Sequence, residues 1–569
     1  MDTRGRFAES SRPRRRRSDS ARRRLSHRLL PIGALALLAF LVGVLVGGLA
    51  GGAEAESGLA DRWARAWRSG DYAAMYRLLT PDARRATDAD AFAATYRRAA
   101  ATATQTGVRV RPRAPVDGDV PLDVAAATRA FGTVRARMEL PVEGEDDALG
   151  VAWVPSLAFP GLRPRERLRR ATELGARGDI LARDGSALAR GDARTSALGP
   201  AGTALVGTVG PIPRPRRRLA RAQGYPADAL VGTTGLELAL QERLAGRPGG
   251  TLRAGSRVLA RTRPAPGEDV RTTIDVKIQR TATAALGERL GGIAVVRPRD
   301  GQVLALSGIA SSSVQPPGST FKIITTTGAL EAGLTRPGRR YPVETEATLD
   351  GVGLENANGE SCGGTFAESF AESCNSVFAP LGAKLGARRL VAAAERFGFN
   401  RPVGIPGAAT STIPPPGEIQ GDLAVGSTAI GQGKVQATAL QMALVAATIA
   451  ERGRRPEPRL VLDDRPRFTR VTSPAVARTI RQLMVGVVRA GTGTAAALPD
   501  AVVAGKTGTA ELGPTTGDAS GDPADTDAWF AAFAPARRAE VAVGVLFVQA
   551  GAGGAVAAPA AKQVLEAAL

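Results

Sequence analysis

The longest uncharged run in the chain is Leu29–Ala53, 25 residues bounded by Arg28 and Glu54. A run of that length can cross the hydrocarbon core of a bilayer as one helix. Over residues 57–100 the apolar positions recur at helical spacing. Leu59, Trp63 and Trp67 share a face, Tyr72, Met75, Tyr76 and Leu79 follow, and Phe92 and Tyr96 form an i,i+4 pair. Residues 106–155 change period and read as short strands (VRVRPR, TVRARMELPV, LGVAWVP) separated by Pro, Gly and Asp turns. Residues 56–158 therefore predict a compact α+β domain with no evident catalytic cluster. Residues 156–285 are extended and loop-rich, with Arg-Gly-Asp-Ile at 177–180, a Gly232–Glu237 stretch before an amphipathic helix, and Asp275 opening another helix.

From 286 to 569 a larger domain begins with a hairpin, GGIAVVRP and GQVLALSG, turning at Arg299-Asp300-Gly301. A long helical region follows. The chain returns to strands at AVVAGKTGTAEL, DAWFAAFAP and VAVGVLFVQA, and ends in a helix, AKQVLEAAL. Strands at both ends with helices between predict a sheet built from distant segments and flanked by helices.

Charge adds direction to this outline. The net charge is +21, and eleven arginines against three acids put +8 of it within residues 1–28. A basic cytoplasmic tail at 1–28, a single-pass anchor at 29–53 and an extracytoplasmic remainder follow. A cleaved signal peptide is the alternative, because Ala53-Glu54-Ala55 resembles a cleavage site. Aromatic residues make up 4% of the chain and are not interleaved with its basic stretches, which argues against nucleic-acid binding. A basic exterior suits anionic lipid or wall polymer.

The sole histidine, His27, lies in the tail. Any Ser-His-Asp or Cys-His arrangement is thereby excluded from the region beyond the anchor. A nucleophilic enzyme would need another base, and a buried lysine beside positive charge can lose its proton near neutral pH. Six lysines (Lys277, Lys322, Lys384, Lys434, Lys506, Lys562) stand against 69 arginines. Arginine stays protonated in proteins. Lysines surviving such a bias mark places where an amine is chemically required, and two of the six fall in catalytic settings.

Ser319-Thr320-Phe321-Lys322 follows Pro316-Pro317-Gly318 and precedes an apolar helical run, so the serine and lysine share a face at a helix start. Ser373-Cys374-Asn375 sits between two helical segments, where a second hydroxyl can relay a proton and a carboxamide can bind an amide. Lys506-Thr507-Gly508-Thr509 lies on an apolar strand whose alternation sends Lys506 and Gly508 to one side and Thr507 and Thr509 to the other. A cation and hydroxyls at a strand edge can hold a carboxylate, and Gly508 leaves space for a substrate backbone. Cys362 and Cys374, the only cysteines, are left open between a short disulfide loop and two buried thiols.

In this order, SxxK, SxN and KTG separated by 54 and 133 residues resemble the penicillin-binding proteins and serine β-lactamases. PPGSTFK at 316–322, GQGKVQATALQMA at 431–443, GKTGTAEL at 505–512 and AWFAAFAP at 528–535 resemble the transpeptidase branch. RGDILARDGSALA at 177–189 resembles the pedestal of class B members. VAWVPSLAFPGLRP at 151–164 and the domain before it are similar to the NTF2-like module of the methicillin-resistance subgroup. The resemblance implies a multidomain α+β chain: an NTF2-like domain at 56–158, a dimerisation or pedestal domain at 159–285, and a transpeptidase domain at 286–569 with an antiparallel sheet flanked by helices. The stretch between Leu306 and Pro316 is shorter than the family's usual loop.

The resemblance also implies D,D-transpeptidation of peptidoglycan stem peptides ending in D-Ala-D-Ala, with β-lactams acylating the same serine and no metal or organic cofactor. Lys322 would deprotonate Ser319, Ser373 would protonate the leaving D-Ala, and Asn375 would hold the peptide. Lys506, Thr507 and Thr509 would bind the terminal carboxylate, beside Gly508, while the Ser319 and Thr509 N–H groups stabilise the oxyanion. A D,D-carboxypeptidase or β-lactamase, in which water replaces the acceptor amine, is the nearest alternative; a non-catalytic β-lactam sensor or scaffold is the more distant one. No segment resembles a glycosyltransferase domain, so a partner would supply that activity.

Overall fold

The computed structural model describes residues 52–145, 148–512 and 525–569. The basic tail and all but the last two positions of the expected anchor lie outside them. Among the described residues no helix is long and apolar enough to cross a membrane. The chain forms two compact units: the first runs to Arg170 and includes Leu252–Ala260, and the second comprises Ala171–Thr251 and Arg261–Leu569.

In the first unit a helix over 52–69 is followed by helices Tyr72–Arg77, Pro81–Ala86 and Ala89–Thr102. Asp71, Thr80 and Asp88 cap the last three by accepting a backbone N–H three residues on. Four antiparallel strands, Gln105–Pro112, Asp119–Thr128, Thr133–Glu143 and Gly150–Val151, pair in chain order. The second was not among the segments read as strands, because Pro121 and Asp123 look like turn residues. Its alternate positions Val120, Leu122, Val124 and Ala126 are buried, and period-2 burial decides the matter. The core is aromatic: Phe92 lies 4.9 Å from the Trp153 ring and 6.1 Å from that of Trp63. The indole N–H of Trp153 donates to the Tyr96 hydroxyl at 3.2 Å, supplying its polar end with a partner. On the opposite sheet face Arg109, Arg111, Arg113, Arg135 and Arg137 are exposed.

In the second unit, Arg177 and Arg194 each pair at 2.6 Å with the buried Glu237. Paired guanidinium groups make burial of that carboxylate tolerable. The larger sheet has five antiparallel strands in the order Gln302–Gly308, Gly291–Arg297, Val541–Phe547, Thr526–Ala534, Ala504–Glu511. Both faces are covered. Helix Ala439–Ala450 packs on one, and helices Val276–Leu286 and Ala557–Ala568 on the other. This explains the near-continuous apolar run AWFAAFA, with Trp529, Ala531 and Phe533 in one core and Phe530, Ala532 and Ala534 in the other. Gly544 permits the close helix approach, since a Cβ there would lie 2.1 Å from the Ala439 carbonyl oxygen. The Ala504–Glu511 strand, which carries Lys506, is a sheet edge.

Candidate active site

Ser319 lies in a 3₁₀ turn, Gly318–Phe321, that runs into the helix Lys322–Glu331. Three residues per turn bring positions 319 and 322 to the same side. The turn is pressed against the edge strand. Gly318 has φ 50°, and a Cβ there would meet the Thr509 carbonyl at 2.7 Å. Gly508 closes the same contact: its Cβ would lie 2.8 Å from the Pro317 carbonyl oxygen and 3.0 Å from Thr320 and Trp529. The space left by the missing side chain of Gly508 is thus occupied by the serine turn, where the sequence reading gave it to substrate backbone.

Ser373 occupies the turn between helices Phe366–Ala371 and Asn375–Leu385, in the left-handed region at φ 66°. That conformation costs a non-glycine residue about 1–2 kcal/mol, so neighbouring bonds must hold it. Cys374 and Cys362 form a disulfide with Cα atoms 5.4 Å apart, which answers the open question of their pairing. The Asn375 amide donates to the Glu355 carbonyl at 2.7 Å, and the Ser376 N–H donates to the Asn356 side chain at 2.9 Å.

Both lysines converge on this turn, each fully buried. The Lys322 amine donates to the Ser373 carbonyl at 2.6 Å, to Asn375 Oδ1 at 2.7 Å and to Ser373 Oγ at 3.3 Å. Lys506 donates to Ser373 Oγ at 2.8 Å and to the Thr507 carbonyl at 3.2 Å. Among the described residues no hydrogen bond joins the Ser319 hydroxyl to Lys322; Ser319 itself is half-buried. Burial, reinforced by the positive charge of Lys506, holds the Lys322 amine well below the usual lysine range. Burial brings Lys506 down to about 7, partly countered by the carboxylate of Glu372.

Among the described residues, the hydrogen bonds of the Thr507 and Thr509 hydroxyls go to groups other than the two lysines. The Thr509 hydroxyl accepts the Gly553 N–H at 3.3 Å. The Thr507 hydroxyl shares a 2.6 Å hydrogen bond with Thr492, and the Thr492 hydroxyl reaches the Ala371 carbonyl at 3.3 Å. Thr492 carried no signal in the sequence, because its contact with Thr507 comes from a loop folding back on the strand.

Comparison with known proteins agrees with this geometry. Residues 291–566 match the penicillin binding protein transpeptidase domain, 190–272 the penicillin-binding protein dimerisation domain and 55–166 the NTF2-like N-terminal transpeptidase domain. Peptidoglycan D,D-transpeptidase PbpA of Mycobacterium tuberculosis is 35% identical over 371 residues, 53% of this chain and 73% of the relative. Crystallised PBP2 of Pseudomonas aeruginosa, in complex with WCK 5153, superposes with a TM-score of 0.60 at 26% identity, covering 70% of this chain and 96% of that one. The penicillin G acyl-enzyme of penicillin-binding protein A from M. tuberculosis gives 0.55 at 29% identity, with 69% and 99% coverage. The fold and site define a serine acyl-transfer enzyme. The chain belongs to the class B penicillin-binding proteins.

Proposed function

We infer that this chain is a peptidoglycan D,D-transpeptidase whose acyl-enzyme forms on Ser319. The observation that carries the inference is the full burial of the Lys322 amine beside the SxN turn, within hydrogen-bond reach of the Ser373 carbonyl, Asn375 Oδ1 and Ser373 Oγ. In the neutral form that burial favours, the amine has two N–H bonds and one lone pair; the two shorter contacts, to the Ser373 carbonyl and Asn375, take both protons, and the 3.3 Å contact with Ser373 Oγ is then no donation from the lysine. The lone pair is then left to accept the Ser319 proton across the 3₁₀ turn. Ser319 Oγ attacks the penultimate D-Ala carbonyl, and the Ser319 and Thr509 N–H groups receive the oxyanion. Collapse breaks the amide bond, Ser373 gives its proton to the departing D-Ala nitrogen, and the lysines restore that proton. Asn375 holds the stem peptide. Lys506, Thr507 and Thr509 hold its terminal carboxylate, and the Gly508 backbone keeps the serine turn against the strand. The amine of a second stem peptide then attacks the ester, forms the cross-link and frees Ser319. A β-lactam carbonyl enters the same path and stops at the acyl-enzyme.

The domain limits 56–158, 159–285 and 286–569, the cytoplasmic tail at 1–28 and a single membrane span at 29–53 belong to the same proposal, supported by the uncharged run and its arginine flank. So does a glycosyltransferase partner. The test is acyl transfer from a D-Ala-D-Ala-type thioester donor in the presence of rising D-amino acid acceptor. A transpeptidase gives increasing aminolysis product and a penicillin adduct that persists for hours. Hydrolysis of that adduct within seconds would assign a β-lactamase.

A further inference from the structure

We infer that Thr492 is a further specificity-determining residue of this site: its hydroxyl orients Thr507 as a donor to the terminal carboxylate of the peptide. This rests on the assignment of Thr507 to that carboxylate. Thr507 is nearly buried, whereas Thr492 is exposed, in the loop ahead of the KTG strand. Their hydroxyls are 2.6 Å apart, so one proton lies between them. Each hydroxyl owns a single proton.

Two arrangements satisfy the pair. In one, Thr492 donates to the Ala371 carbonyl and Thr507 donates to Thr492, leaving Thr507 with only lone pairs for the substrate. In the other, Thr492 donates to Thr507, whose own proton is free. The Ala371 carbonyl does not require the Thr492 hydroxyl, because the Thr492 backbone N–H already donates to it at 3.2 Å. A carboxylate accepts only, so its arrival selects the second arrangement. The chain Thr492 to Thr507 to carboxylate then polarises in one direction and each bond strengthens the next. The loop is held in place by close backbone contact. A Cβ on Gly491 would lie 2.4 Å from the Ala371 carbonyl oxygen, and one on Gly554 would lie 2.4 Å from that of Thr492. Ala371 is two residues before Ser373, so the same loop links the SxN turn to the KTG strand.

The test compares acylation of the full chain by penicillin G and by its methyl ester. Thr492→Val, which keeps shape and removes the hydroxyl, should lower the second-order acylation rate with penicillin G about fivefold to tenfold. The ester should change less than about twofold, and Thr492→Ser should restore penicillin G to within about threefold of wild type. The loss should appear in binding and not in the limiting acylation rate. An equal fall with both probes, or none with penicillin G, overturns the inference. Thr507→Val serves as the reference. If it shifts the probe ratio while Thr492→Val does not, only the role of Thr492 fails. If neither shifts it, the carboxylate assignment of Thr507 fails as well.

Discussion

In the first unit five arginines stand in solvent on the sheet face opposite the Trp63, Phe92 and Trp153 core, around a shallow cavity of about 440 Å³ lined in part by Arg109, Arg111, Arg135 and Arg137. In the catalytic region Lys322 and Lys506 are fully buried around one serine turn. The first arrangement leaves cations hydrated and permanently charged. The second strips water from amines and so makes their protons negotiable. In a chain with 69 arginines and six lysines, both cations buried at this turn are lysines, whose amines can give up a proton where arginine cannot. Asp123, at 2.5 Å from Arg113, partly offsets the arginine face, an exposed pair of small worth. Among the described residues no carboxylate reaches the Lys322 amine, whose partners are neutral oxygens.

The largest expected effect that separates the two regions comes from Lys322→Arg. Arginine keeps its proton, so it places a permanent charge where the base must be neutral, and penicillin acylation should fall about 10²–10⁴-fold, measured by stopped-flow fluorescence. Retention of activity would break the comparison.

A smaller effect is the pH dependence. The second-order acylation rate should fall on the acid side as Lys322 takes up a proton. On the alkaline side it should fall about tenfold per unit well beyond pH 7, as Lys506 loses the charge that attracts the substrate carboxylate. Stability moves the other way. Both native amines have lowered values, so between about pH 7 and the unfolded lysine value near 10 the unfolded chain binds more protons, and the unfolding midpoint should rise with pH across that window.

The smallest effect is on the arginine face, where Arg109→Lys should leave acylation unaltered and stability within about 0.5 kcal/mol. A loss of acylation comparable with that of Lys322→Arg would show that exposed cations also serve the chemistry.

Much of the architecture could be read along the chain. The helical spacing of Trp63, Trp67, Phe92 and Tyr96, the hairpin at Arg299-Asp300-Gly301 and the late return to strands correspond to elements of the structure. The Asp119–Thr128 strand was harder to see, since Pro121 and Asp123 lie on its exposed face and only burial of the alternate positions reveals it. At the site, order and spacing brought forward Ser319, Ser373 and Lys506. They could not show that Lys322 bonds first to the Ser373 carbonyl and Asn375, that Cys374 is tied to Cys362, or that Gly508 accommodates the serine turn. Each of those depends on segments distant in sequence meeting in space. Thr492 is the clearest case, being 15 residues from Thr507 with no local pattern to mark it.

The most direct measurement is intact-mass spectrometry of the protein after incubation with a penicillin. The account predicts one penicillin mass added to the wild-type chain, localised to the peptide containing Ser319, and no added mass on Ser319→Ala. An unmodified wild type, or an adduct that survives Ser319→Ala, would contradict it.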